Sequence, residues 1–97
     1  MGNYTIKYLH ANNLAGIIKH IPGHGSARTD SHKKMPIVSS SLKNLNDTDF
    51  YPFKLSKAKF AMTAHVLYKK IDKRNVATFS KTIIKKIIRK KIGFKGI

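Results

Sequence analysis

Ninety-seven residues at 11.0 kDa allow one small domain, and twenty Lys and Arg against four Asp and Glu leave a formal net charge of +16. A chain this short buries only about 60–65% of the surface it exposes when unfolded, which leaves little core to support a preorganised catalytic cleft. Cysteine is absent, which excludes thiolate chemistry, disulfide staples and Cys-ligated zinc, and four carboxylates at no useful spacing offer little to general acid–base chemistry.

In the first thirty residues the apolar stretches are short and broken by polar residues, so neither a signal-peptide core nor a membrane span is expected there. Tyr4, Ile6 and Tyr8 alternate as in a strand, whereas Leu14, Ile17 and Ile18 recur at helical spacing behind Asn12 and Asn13 as caps. The second pattern predicts a short helix near residues 13–20. Pro22 with Gly23 and Gly25 stops any regular element. From Ile21 to Asp49 the chain is rich in Ser, Asn, His, Gly and Lys, with few apolar residues, and reads as an irregular extension ordered by a partner.

Beyond Ser56 as a helix cap, Phe60, Ala64, Leu67 and Ile71 are spaced by four, three and four, one face of a helix over about 56–73. Val76, Phe79, Ile83, Ile84, Ile87 and Ile88 mark a second helix over about 76–92, ended by Gly93 as a left-handed cap. Arg74 and Asn75 allow a tight turn between them. The fold class expected is therefore mainly α: an antiparallel C-terminal helical hairpin, residues 54–97, behind an extended N-terminal segment, residues 1–53.

Charge follows the same division. Up to Phe53 six basic and three acidic residues give +3, while beyond it fourteen basic residues stand against Asp72 alone, giving +13. On a helical wheel Lys85, Lys86, Arg89 and Lys90 gather opposite the isoleucines, and Lys59, Lys69, Lys70 and Lys73 lie off the first stripe, with Arg74 in the turn. Packed as a hairpin, these residues form one cationic surface whose self-repulsion a phosphate backbone would relieve. Seventeen of the twenty cations are Lys, which meets phosphate as a point charge and reads base edges poorly, so structured RNA is the expected partner. The function that follows is a structural, rRNA-binding component of a large ribonucleoprotein, with neighbouring proteins of the assembly as further partners. Small size, basicity and a long extension resemble ribosomal proteins as a class, and the abundance of Lys, Ile and Asn points to a mitochondrial ribosome. No enzyme activity, small-molecule substrate, cofactor or metal is expected.

Other groups carry weaker readings. His20, His24 and His32, with Asp30 nearby, have imidazoles suited to zinc, but Pro22 keeps His20 and His24 off a common helical face. Gly23-His24-Gly25-Ser26 has the composition of a phosphate nest, but no strand is expected before it. Phe50, Tyr51 and Phe53 around Pro52 either stack on unpaired bases or close the hairpin core, the second being favoured. Met62 and Val66 have no place in the first stripe. The alternative function is a basic accessory subunit of a membrane-associated complex, using the amphipathic C-terminal helix. A DNA-binding helix-turn-helix is disfavoured by a recognition face that is nearly all Lys.

Overall fold

The computed structural model describes residues 2–28 and 34–97. The first helix, α1 (Gly2–Ala11), occupies the segment whose tyrosines alternate as in a strand. Ile6 is its buried residue, and Tyr4 and Tyr8 stay exposed. Asn13 ends this helix rather than starting the next one. It sits at φ 58, its N–H bonds to the His10 carbonyl at 3.1 Å, and the Leu14 N–H reaches the Leu9 carbonyl at 2.8 Å, a paired pattern that satisfies the last turn.

The helix expected near 13–20 is replaced by strand β1 (Ile17–Ile21). It pairs in parallel with β3 (Phe60–Thr63), in the register Ile17↔Phe60, Ile18↔Ala61, Lys19↔Met62 and Ile21↔Thr63. His20 is the extra residue, a bulge in β1. The Lys19–His20 and Ile21–Pro22 peptide bonds are cis. Parallel strands need long crossovers, and the segment between β1 and β3 supplies one. It carries β2 (Ile37–Val38), α2 (Leu42–Asp47, capped by Ser41, whose hydroxyl accepts the Asn44 N–H at 3.2 Å) and α3 (Tyr51–Leu55, with Pro52 in its first turn). β2 in turn pairs in parallel with β4 (Leu67–Tyr68). Much of the supposedly irregular stretch is therefore connection within an α/β unit.

The helical hairpin does not exist. Of residues 60–68, assigned to its first helix, Phe60–Thr63 form β3 and Leu67–Tyr68 form β4, and Ser56 follows α3 instead of opening a helix. The four-three-four spacing of Phe60, Ala64, Leu67 and Ile71 was accidental. Ala64, Val66 and Tyr68 are all fully buried with exposed His65 and half-buried Leu67 between them, a period of two. Val66, which had no place on the helical face, is thus a core residue.

After β4 a turn of 3-10 helix (Ala77–Phe79) leads to the terminal helix (Ile83–Ile92), wound with π-type bonding; the Gly93 N–H bonds to the Ile88 carbonyl and Gly93 sits at φ 82. Ile83, Ile87, Ile88 and Ile92 recur every four to five residues, the spacing that keeps one face inward when bonds run i→i+5. Buried Ser80 opens this helix by accepting the Ile83 N–H at 3.1 Å, while its own hydroxyl donates to the Asp72 carboxylate at 2.7 Å. Phe79, placed in the second stripe by spacing, is 71% exposed. One core joins Ile21, Val38, Leu45, Phe50, Ala64, Val66 and Tyr68 to the inward isoleucines and Phe94. The terminal helix therefore packs on α3 and on the 3-10 turn, within a core shared with strand residues.

Candidate active site

In parallel α/β architectures, ligands bind where the strands end, because the loops that follow them converge there. β1 ends at Ile21, and the Ala64 N–H beyond β3 donates to the Ile21 carbonyl at 2.7 Å, so the two ends lie side by side. From this edge the chain turns through Pro22-Gly23-His24-Gly25-Ser26. A cavity of about 530 Å³ opens beside the turn, lined by Lys19, His20, Gly23, His24, Gly25, Thr48, Asp49, Pro52 and Phe53. A larger cavity, about 670 Å³, lies between α1, β1 and α3; Ile6, Leu9, Ile17, Ile18 and Leu55 make its wall largely apolar. Lys19, Pro52 and Phe53 border both. The smaller one, at the strand ends, gathers four ionisable side chains, Lys19, His20, His24 and Asp49, against Lys19 alone at the larger, and is the candidate site.

Lys19 and half-buried His20 are adjacent residues of one strand and would point to opposite faces in regular pairing; the bulge at His20 lets both reach the same cavity. The imidazoles of His20 and His24 stand 6.2 Å apart, tilted by 58°. Burial, then the neighbouring Lys19 and His24, lowers the His20 pKa below the ordinary histidine range, so this ring is neutral at neutral pH and offers one donor and one acceptor. Beyond β3, exposed His65 stands edge-on to Phe79, with ring centroids 5.9 Å apart.

The turn is held from two sides. The Asp49 carboxylate accepts the Ser26 N–H at 3.1 Å, the Ser26 hydroxyl at 2.7 Å and the Thr48 hydroxyl at 3.0 Å. From β4 the Tyr68 hydroxyl donates to the Gly23 carbonyl. Burial pushes the Tyr68 phenol above its ordinary range, and the nearby Asp49 charge adds to this, so the donor keeps its proton. A strand does precede the Gly23–Ser26 turn, contrary to expectation, but the Ser26 N–H that a nest would offer to phosphate is taken by Asp49. Phe50 is fully buried, Phe53 is half-buried against the core and lines the cavity, and Tyr51 is exposed. Among the described residues no three His, Asp or Glu side chains converge on a metal position. His32 and Asp30 lie outside the described residues.

The cations singled out in the sequence are elsewhere. Lys59 precedes β3 at its opposite end, and exposed Lys69, Lys70, Lys73 and Arg74 follow β4. Lys85, Lys86 and Lys90 lie exposed on the terminal helix. Lys70, Lys86 and Lys90 join Lys91, Leu42, Ile71 and Ile87 around a further cavity of about 520 Å³. Arg89 is bound internally: its guanidinium donates to the carbonyls of Phe94 at 3.1 Å and Gly96 at 2.5 Å and lies over the Phe94 ring, 5.7 Å from its centre. None of these residues lines the cavity at the strand ends. Sequence reading did not single out Lys19 as a site residue, and it weighed His20 and His24 as zinc ligands and His24 within a phosphate nest. The usable signal was a strand ending in Lys-His-Ile and followed at once by Pro-Gly-His-Gly.

Comparison with known proteins bears on this edge. The family described as the glycosyl hydrolase family 3 N terminal domain matches residues 1–97. A beta-hexosaminidase of Tolumonas auensis is 37% identical over 93 residues, 92% of this chain and 28% of the relative; one from Neisseria meningitidis serogroup C is 40% identical over 82 residues, 81% and 22%. Among solved structures, NagZ from Neisseria gonorrhoeae in complex with N-trifluoroacetyl-D-glucosamine superposes with a TM-score of 0.84 at 37% identity, over 95% of this chain and 28% of that one. A family 3 beta-N-acetylglucosaminidase from Paenibacillus gives 0.90 at 29% identity, over 99% and 19%. The chain thus spans about a quarter of the length of the curated relatives it matches.

These findings overturn the ribosomal and mitochondrial assignment, the rRNA partner and the exclusion of enzymes, since the matching family is one of glycosyl hydrolases and the relatives named are beta-hexosaminidases. The membrane-complex alternative falls with them, because the apolar face of the terminal helix on which it relied is buried in the core. The parallel strands and intervening helices are part of a TIM-barrel-like fold. The chain belongs to glycosyl hydrolase family 3, within its N-terminal domain.

Proposed function

We propose that this chain supplies the sugar-binding side of a β-N-acetylhexosaminidase active site, built on the ends of β1 and β3. The observation that carries the reading is the convergence of Lys19, His20 and His24 on one cavity beside Phe53. An ammonium and two imidazoles suit the hydroxyl and amide groups of an N-acetylated sugar, and an aromatic side chain with Pro52 suits its apolar face. The names of the relatives support the same chemistry: beta-hexosaminidases by sequence, and a structure bound to an N-acylated glucosamine.

Glycosidic hydrolysis in most such enzymes uses two carboxyl groups flanking the scissile bond. The described carboxylates are otherwise engaged. Asp49 holds Ser26 and Thr48, Asp72 holds the loop before the terminal helix, and Asp47, at the end of α2, accepts from its neighbour Asn46 at 3.5 Å. The described residues therefore contribute binding and orientation. The test is titration of the 97-residue chain with N-acetylglucosamine, by calorimetry and by the His20 and His24 imidazole resonances. Saturable binding is expected, weakened roughly tenfold by Lys19→Ala through loss of a charged donor. Absence of saturable binding, or equal binding by the variant, refutes the assignment.

A further inference from the structure

We infer that Asp49 and Tyr68 are positioning residues, which hold the Gly23–Ser26 turn so that His24 faces the sugar cavity. The inference rests on the proposed sugar site, but the geometry behind it is independent of any ligand. His24 and Gly25 lie between two fixed points. Behind them, the Gly23 carbonyl receives the Tyr68 hydroxyl; ahead, both the N–H and the hydroxyl of Ser26 bond to Asp49. The Ala27 N–H closes the turn on the His24 carbonyl at 3.0 Å.

The two anchors come from different parts of the core. Tyr68 is fully buried on β4, and its partner strand β2 lies in the crossover. Asp49 sits between α2 and fully buried Phe50, at the corner leading into α3. Gly23 packs directly on Asp49, at φ +140, with no room for a Cβ. Core packing thus dictates where the turn stands, and a buried tyrosine hydroxyl and a carboxylate with three donors are strong enough bonds to transmit it.

Tyr68→Phe removes one oxygen from the anchor, and Asp49→Asn removes its charge and one acceptor. Asp72→Asn serves as the control, because Asp72 holds a loop of comparable size, through Arg74, Asn75 and Ser80, and does not line the sugar cavity. Three quantities are measured on the full chain: amide exchange of Gly25 to Ala27, thermal midpoint, and affinity for N-acetylglucosamine. Both anchor variants are expected to speed exchange in the turn and to weaken the sugar roughly tenfold, the scale of one charged hydrogen bond, while Asp72→Asn lowers the midpoint and leaves affinity alone. Unchanged exchange in both anchor variants overturns the inference, as does an equal loss of affinity in the control. If the wild-type chain binds no sugar, the proposed function fails, and the anchoring is judged on exchange alone.

Discussion

Replacing Gly23 by Ala should be a strongly damaging single-methyl change. The residue sits at φ +140, a conformation that side chains with a Cβ rarely adopt, at a cost of roughly 1–3 kcal/mol. The new methyl would lie 2.6 Å from the Asp49 Cβ, 3.2 Å from its carbonyl oxygen and 3.3 Å from its Cα. Two of these neighbours are backbone, which cannot swing aside, and forcing the elements apart adds about 1–3 kcal/mol. A total of about 2–6 kcal/mol follows, or a midpoint lowered by at least about 8 °C for a domain of this size. Gly25→Ala is the matched comparison. A Cβ at Gly25 meets nothing within 4 Å and Gly25 is not among the residues with positive φ, so this change should be neutral or stabilise by up to about 1 kcal/mol. Urea unfolding of both variants decides the matter. A Gly23→Ala loss below about 1 kcal/mol, or equal losses at the two positions, would refute the close packing of the turn on Asp49.

Acid sensitivity should come from the loop before the terminal helix. The Ser80 hydroxyl, the Arg74 N–H and the Asn75 donors hold the Asp72 pKa down at about 2. A carboxylate with a depressed folded pKa stabilises above its unfolded value and loses that contribution as pH falls through the folded one. Stability should therefore drop between about pH 4 and pH 2, and Asp72→Asn should flatten that part of the profile; an unchanged acid limb would contradict the assignment. Replacing Lys85, Lys86 and Lys90 together by Gln should leave affinity for N-acetylglucosamine within about twofold, as expected for exposed substitutions outside the site. A larger loss by calorimetry would bring the terminal helix into the binding surface.

How much of this was legible in the sequence varies by segment. The Gly93 cap and the isoleucine face of the terminal helix were readable because helical spacing there is strong and is closed by a residue able to take positive φ. Residues 60–68 were not, because a nine-residue run without Gly or Pro fits both a four-three-four stripe and an alternating strand. The deciding residue was Val66, unexplained by the helix and buried by the strand. Asn13 shows the converse ambiguity: the same residue type caps either end of a helix, and only the bonds to His10 and Leu9 tell which. Pairing of β1 with β3, some forty residues apart, is a tertiary fact with no local signature.

The larger error lay in what charge was asked to decide. Net charge governs solubility, association rate and nonspecific attraction; it does not specify a fold or a reaction. Here the most conspicuous cations sit on the outside of the terminal helix, or are spent internally, as with Arg89 on the Phe94 and Gly96 carbonyls. The cavity at the strand ends is lined by a single lysine and two imidazoles, which contribute almost nothing to composition. A neutral sugar is recognised by a few directed donors and acceptors held in place, so the informative residues are the ones that hold them. Gly23, Asp49 and Tyr68 look unremarkable as composition. They matter because β1 runs parallel to β3, which sets the Pro22–Ser26 turn beside Asp49 and the Tyr68 hydroxyl beneath it.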